Sequence, residues 1–176
     1  MVGNSQNTGN AGEYLVLAEL LHRGHHAGLA ERGNPTFDVI TRHGNKYSSL
    51  RVKTSRSRTF QWTASGPGPN DPVLPRLDPK DATDFVVLVA FNSGGPRKAE
   101  VYIVPSIVIE HALNEAHEHY HRYLIKKTGK RRSRTKQRVI RLDGPDKPDN
   151  ISFDFAHKWA KFHEAWDLLQ DATRGP

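Results

Sequence analysis

The chain has no cysteine, which excludes disulfides, cysteine-held zinc, iron–sulfur clusters and thiol nucleophiles. It also lacks a long apolar run. The longest, Phe85 to Phe91, falls far short of the roughly 18 residues that a membrane helix needs, so no membrane partner is expected. There is no P-loop and no Gly-x-Gly-x-x-Gly fingerprint, and Gly66-Pro67-Gly68 and Gly94-Gly95 read as turn chemistry. Met1 to Asn10 is polar and uncharged, unlike a signal or transit peptide, and the expected address is the cytoplasm.

Acidic residues are missing from one stretch altogether. Lys126 to Arg141 holds nine of the 26 Lys and Arg residues and no Asp or Glu, while the chain as a whole carries +7. Such a block repels itself and is stabilised by a polyanion or by water. Within it Lys126, Lys127, Lys130, Arg131, Arg132, Arg134, Lys136 and Arg138 are candidate phosphate contacts, with Arg56 and Arg58 extending the footprint. DNA is the expected partner, with RNA the alternative. No aromatic lies between these cations, which argues against a single-strand stacking groove inside the segment itself.

What is present suits one folded core. A chain of 176 residues can bury roughly 70% of its unfolded surface without a staple. Residues 1–9 read as a disordered tail. Asn10 can cap a helix that runs to about Arg23, with Gly24 as its C′ glycine. Strands are expected near His26–Glu31, Phe37–Arg42 and Tyr47–Thr54, with turn chemistry at His43-Gly44-Asn45-Lys46. Ser65 to Lys80 reads as a loop. Phe85–Phe91 reads as a central strand and Glu100–Val104 as its partner. Ser106 caps a second helix, expected to reach about Ile125. Residues 126–150 read as a basic and Pro/Gly loop. From about Asp154, Phe155, Trp159, Phe162, Trp166 and Leu169 form an aromatic stripe on a C-terminal helix in 151–176, packed on the core or on a second copy. The order predicts an α/β (α+β) sheet flanked by helices.

Three residues stand out in this order: Glu13 in the first helical turn, Asp38 at the second strand, and Lys53 on the third. Alternation puts Leu50 and Val52 on the core face, with Arg51 and Lys53 together on the other. If the second and third strands form a hairpin, Asp38 sits beside Lys53. Two carboxylates can hold Mg²⁺ or Mn²⁺ together with waters and phosphate oxygens, and a lysine can orient water or offset phosphate charge. The plainer alternatives are a carboxylate on the helix dipole for Glu13 and a cross-strand pair for Asp38 and Lys53.

At these residues the chain resembles the PD-(D/E)XK nuclease superfamily, in its resolvase-like and intron-encoded endonuclease branches. Gly12-Glu13-Tyr14-Leu15-Val16 looks like the opening helix. Pro35-Thr36-Phe37-Asp38 looks like the first half-motif, and Arg51-Val52-Lys53 stands where the second belongs. The resemblance covers residues 10–125 and implies a restriction-endonuclease-like core with a metal-dependent DNA endonuclease activity. It implies metal ligation by Glu13 and Asp38 and catalytic roles for Glu13, Asp38, Arg51 and Lys53. Homodimerisation is expected by analogy with nucleases that cut both strands, through the Trp159/Trp166 helix. The departure is Arg51 in place of an acid. A unit positive charge roughly 5 Å from a divalent ion costs about 7 kcal/mol of repulsion at an effective ε of about 20. The alternative is therefore an inactive nuclease fold that binds nucleic acid.

A third reading comes from the histidines of the second helix. His117-Glu118-His119-Tyr120-His121 matches the H-E-x-x-H zinc pattern, yet the helix has a separate apolar face that would leave these histidines on a solvated side.

Overall fold

A computed structural model describes residues 4–34, 36–73, 85–91, 98–122, 128–130, 132–142 and 155–171. The chain divides into two compact units. The first takes Met1–Ser57, Leu77–Ser106 and Lys161–Pro176, and the second takes Arg58–Arg76 and Ile107–Ala160.

The first unit is built on a five-stranded mixed sheet in the order β1-β2-β3-β5-β6. Its strands are β1 (His26–Leu29), β2 (Val39–His43), β3 (Lys46–Ser55), β5 (Phe85–Phe91) and β6 (Ala99–Pro105). β1, β2 and β3 form an antiparallel meander, β3 and β5 run parallel, and β5 and β6 are antiparallel. The β2–β3 hairpin closes as predicted, with His43 opposite Lys46 and Gly44 at a φ of 60°. That φ suits a residue without a Cβ. β5 is buried along its whole length, as a strand between two neighbours and covered on both faces must be.

Helix α1 (Asn4–His22) lays Val16 and Leu20 against Val39, Leu50, Val52, Val87 and Ile103. The helix already runs from Asn4, so the expected tail holds for none of residues 4–9. Their polar side chains favour no burial, and the turns anchored by Val16 and Leu20 carry the helix back toward the N-terminus by propagation. Residues 1–3 lie outside the described part.

The core of this unit is completed by the C-terminal segment. Trp166 is 1% exposed and Leu169 is 2% exposed, both in the cluster with Val16 and Leu20. The Glu164 carboxylate holds the segment in place. It accepts the Val101 N–H at 3.2 Å and the Trp166 indole N–H at 2.8 Å. Glu164 itself sits at a φ of 51°. This left-handed residue interrupts what the aromatic spacing predicts as one helix. The segment is instead a short helix α3 (Phe155–Lys158), a 3₁₀ turn (Ala160–Phe162) and a short helix α4 (Leu168–Asp171). The aromatic stripe is nevertheless buried, within the chain itself. Trp159 and Trp166 are therefore not a free surface for a second copy.

The second unit contains helix α2 (Ser106–Arg122) over most of its length and a two-stranded antiparallel ribbon, β4 (Thr59–Thr63) with β7 (Gln137–Arg141). Part of the expected 126–150 loop is therefore a strand. In β4, Phe60 and Trp62 are buried and alternate with Thr59, Gln61 and Thr63. In β7, Arg138 and Ile140 take the buried positions. No helix among the described residues is long and apolar enough to cross a membrane.

Candidate active site

Asp38 is the best-held residue of the first unit's polar cluster. Its approach is shaped by Asn34, whose side-chain oxygen accepts the Thr36 N–H at 2.9 Å and the Phe37 N–H at 3.2 Å. This is the backbone-mimicking turn that asparagine favours. The Asp38 N–H then donates to the Leu50 carbonyl at 2.9 Å, and the Asp38 carbonyl accepts the Ala30 N–H at 2.8 Å. Finally its Oδ2 accepts the Val52 N–H at 2.7 Å. The last bond ties the carboxylate to the peptide between Arg51 and Lys53. It fixes one oxygen and leaves Oδ1 as the second acceptor of the group.

Lys53 and Arg51 lie on the same pleat of β3, and Leu50 and Val52 on the other, with 0% and 9% exposure. Arg51 and Lys53 are half-buried. Burial pushes the Lys53 amine below its ordinary value, the Arg51 guanidinium pushes it further, and the Asp38 carboxylate opposes both. Glu13 comes from α1. Burial raises its carboxyl, the negative charge of Asp38 raises it further, and Arg32 pulls it back. The charge of Asp38 thus acts on both Glu13 and Lys53, and that of Arg51 acts on Lys53.

The approach of α1 depends on Gly12. A Cβ built there would lie 1.9 Å from Thr54 Oγ1 and 3.0 Å from Thr54 Cβ, so the helix can come this close to β3 only without a side chain. Glu13 follows Gly12 directly, and Thr54 follows Lys53. The close contact therefore fixes where this turn of α1 meets β3. Neither Gly12 nor Arg32 stands out in the sequence for such a role. The Gly12–Thr54 contact joins positions far apart in the chain, and Arg32 sits in a turn with no periodic pattern to place it.

Two carboxylates are a sufficient protein donor set for Mg²⁺, which keeps waters and substrate oxygens in its remaining positions. Asp38 raises Glu13 because the pair is a concentration of negative charge that a cation would relieve. No group of three or more His, Asp or Glu side chains suited to a metal occurs among the described residues.

The predicted nucleic-acid contacts divide by their surroundings. Arg56, Lys130 and Lys136 are exposed, and Arg58 is half-buried. Arg134 is paired with Glu118 at 2.8 Å. The Arg132 guanidinium lies over the Tyr120 ring, 4.5 Å from its centroid. Arg138 is corrected: it is 1% exposed, and its guanidinium donates to the carbonyls of Thr135, at 2.7 Å, and Gly68. It joins β7 to the 66–71 loop and is sealed from a ligand. Lys126, Lys127 and Arg131 lie outside the described residues.

The histidines of α2 are a second correction. His117 and His121 are 4% and 7% exposed and extend the buried stripe of Ile109 and Leu113 by one turn each. Their Nε2 atoms are 3.1 Å apart. His121 Nδ1 lies 3.2 Å from the Arg132 carbonyl, and His117 Nε2 lies 3.3 Å from that of Pro67. Carbonyls only accept, so Nδ1 of His121 and Nε2 of His117 are the donors, and the single Nε2 hydrogen of His117 is shared between the Pro67 carbonyl and His121 Nε2. Burial and the nearby Arg138 push His117 down to about 4. The two rings are buried and join α2 to loop carbonyls, so they do not form the solvated face that composition predicts.

No protein-family model matches the chain, and no curated protein matches it in sequence. A Holliday junction resolvase from Archaeoglobus fulgidus superposes with a TM-score of 0.41 and 15% identity, covering 76% of this chain and 83% of its own. A bacterial homing endonuclease superposes with a TM-score of 0.58 and 16% identity, over 99% of this chain and 100% of that chain. At that identity the likeness to the homing endonuclease is one of fold: a nuclease-like mixed sheet flanked by helices, the architecture that the element order predicts.

Proposed function

We propose that the protein is a divalent-metal-dependent DNA endonuclease whose cutting site is formed by Glu13, Asp38, Lys53 and Arg51. The observation that carries this reading is the hydrogen bond from the Val52 N–H to Asp38 Oδ2. It locks an acid from one strand to the peptide that separates Arg51 and Lys53, beside a second acid from α1. The nuclease-like fold supports the same reading.

Glu13 and Asp38 would hold Mg²⁺ or Mn²⁺. When bound, the ion would lower the pKa of water and offset charge on the phosphodiester. Asp38 needs no reorganisation for this task, since three backbone groups already fix it. Lys53 would orient the attacking water or offset charge on the phosphate. Arg51, on the same pleat, would clamp a non-bridging oxygen of the scissile phosphate, where its charge is compensated by substrate. Arg56, Arg58 and the exposed Lys130 and Lys136 would grip the flanking backbone without reading sequence.

A second reading has its own observation. Arg51 lies two residues from Lys53 on β3 and acts on it electrostatically, and a cation beside the acids would weaken metal binding, which favours a non-catalytic nucleic-acid-binding module. Incubation of DNA with Mg²⁺, Mn²⁺ or EDTA separates the two. The endonuclease cuts only with metal, and Asp38→Asn and Lys53→Ala abolish cutting. Binding without cutting in every metal, unchanged in both variants, leaves the module.

A further inference from the structure

The two faces of the first unit's sheet differ over β1–β3. One carries Val39, Leu50 and Val52 against α1. The other stays open. The register places His26, Arg42 and Tyr47 in one row across the three strands, and Gly28, Ile40 and Ser49 in the next. Tyr47 is 58% and Ile40 is 38% exposed. Together with His26, Gly28 and Arg42 they line a cavity of about 360 Å³. Gly28 puts no side chain into it. The Arg42 guanidinium lies 5.9 Å from the centre of the Tyr47 ring.

Two further facts give this face a direction and a charge. Tyr47, Ser49, Arg51 and Lys53 alternate along one side of β3, so the row that begins at Tyr47 ends at the proposed cutting site roughly 20 Å away. In addition, β1, β2 and β3 contain no Asp or Glu. A path with arginines, an amine and no acid is complementary to a phosphate backbone.

The exposed aromatic ring narrows the ligand. A continuous duplex presents phosphates and groove edges, and its base faces are stacked inside. A tyrosine ring beside an isoleucine offers a flat apolar surface that only an unstacked base can cover, and an arginine alongside pairs with its phosphate. We infer that the open face of β1–β3 holds an unpaired stretch of the substrate next to the bond to be cut, with Tyr47 stacked on a base, Arg42 on a phosphate, and the strand running along Ser49 toward Arg51 and Lys53. The substrate class is therefore DNA with unpaired nucleotides at the cleavage point. This inference rests on the endonuclease reading above.

The test measures binding and cutting in parallel. Fluorescence anisotropy in EDTA compares a plain duplex with the same duplex carrying a single-stranded flap, for the parent protein, Tyr47→Ala, Tyr47→Phe and Arg42→Ala. The parent is expected to prefer the flap by about tenfold or more, in line with the stacking of one base. Tyr47→Ala should lose that preference and leave duplex binding within about twofold, and Tyr47→Phe should keep it. Arg42→Ala should weaken flap binding and lower its salt slope by about one. Thermal melts check that each variant is folded. Equal affinity of the parent for both DNAs, or variants indistinguishable from the parent, overturns the inference. If the parent still cuts with metal in that case, the endonuclease reading stands alone. If the Tyr47-dependent preference is found and no metal supports cutting, the binding face stands and the endonuclease reading falls.

Discussion

The cluster around Asp38 and the cluster around His117 are made of similar parts: titratable side chains withdrawn from water, with an arginine beside each. They differ in access and in where their hydrogen bonds go. Glu13, Asp38, Arg51 and Lys53 are all half-buried, and a solute can reach them. His117, His121 and Arg138 are sealed, and the partners found for them are backbone carbonyls and each other. In the first cluster like charges crowd together and both Glu13 and Lys53 are pushed toward neutrality. In the second, burial pushes His117 down, and both imidazoles act as rivets between loop and helix. Perturbed ionisation alone does not separate a reactive site from a structural one. Openness to a ligand, and charges left for the ligand to balance, do.

The largest expected effect that would break this contrast lies in the first cluster. Asp38→Asn keeps an acceptor for the Val52 N–H and removes the charge, so cutting should fall by at least about a hundredfold with the thermal midpoint almost unchanged. A rate within tenfold of the parent, measured on the same DNA, would place the chemistry elsewhere. His117 sharpens the contrast from the other side. Its folded-state value of about 4 lies below the ordinary 6.5, so the native state binds fewer protons than the unfolded chain between the two. Stability should therefore be fully present above pH 6.5 and decline by about 3 kcal/mol as pH falls to 4. Urea unfolding of His117→Gln should lack that part of the slope.

Next in size is the helix–strand contact. Gly12→Ala must displace α1 from Thr54, at a cost of about 1–3 kcal/mol, with slower cutting as Glu13 moves. Adding Thr54→Ala should restore part of both, and strict additivity in the double-mutant cycle would show that the two positions are not coupled. The smallest effect belongs to the exposed cations. Lys130→Ala and Lys136→Ala should each lower the salt slope of DNA binding by about one, with little change in stability.

Much of the first unit is legible in the sequence because its signals are local. Phe85–Phe91 is a continuous apolar run and forms the strand it predicts. The Gly44-Asn45 turn fixes the β2–β3 hairpin, which puts Asp38 opposite Arg51, one residue beyond the Val39–Leu50 pair. What escaped was set by distant partners. β7 reads as a charged loop because nothing local shows that Arg138 would be buried under the 66–71 loop. His117 and His121 look polar by composition, yet they prolong the Ile109–Leu113 stripe at steps of four and are hydrogen-bonded by carbonyls from other segments. The aromatic stripe was correct as burial and misleading as a helix, because Glu164 turns the chain within it.

The position of Trp166 in the first unit's core has a consequence for biosynthesis. The strands that bear Asp38 and Lys53 leave the ribosome early, but the hydrophobic cluster beneath them closes only when Trp166 and Leu169 dock beside Val16 and Leu20. Contacts between such remote stretches are slow to form, since the intervening chain must first be looped back. A nascent or prematurely stopped product therefore exposes the apolar underside of its sheet, and becomes a ready substrate for chaperones and proteases rather than a folded protein.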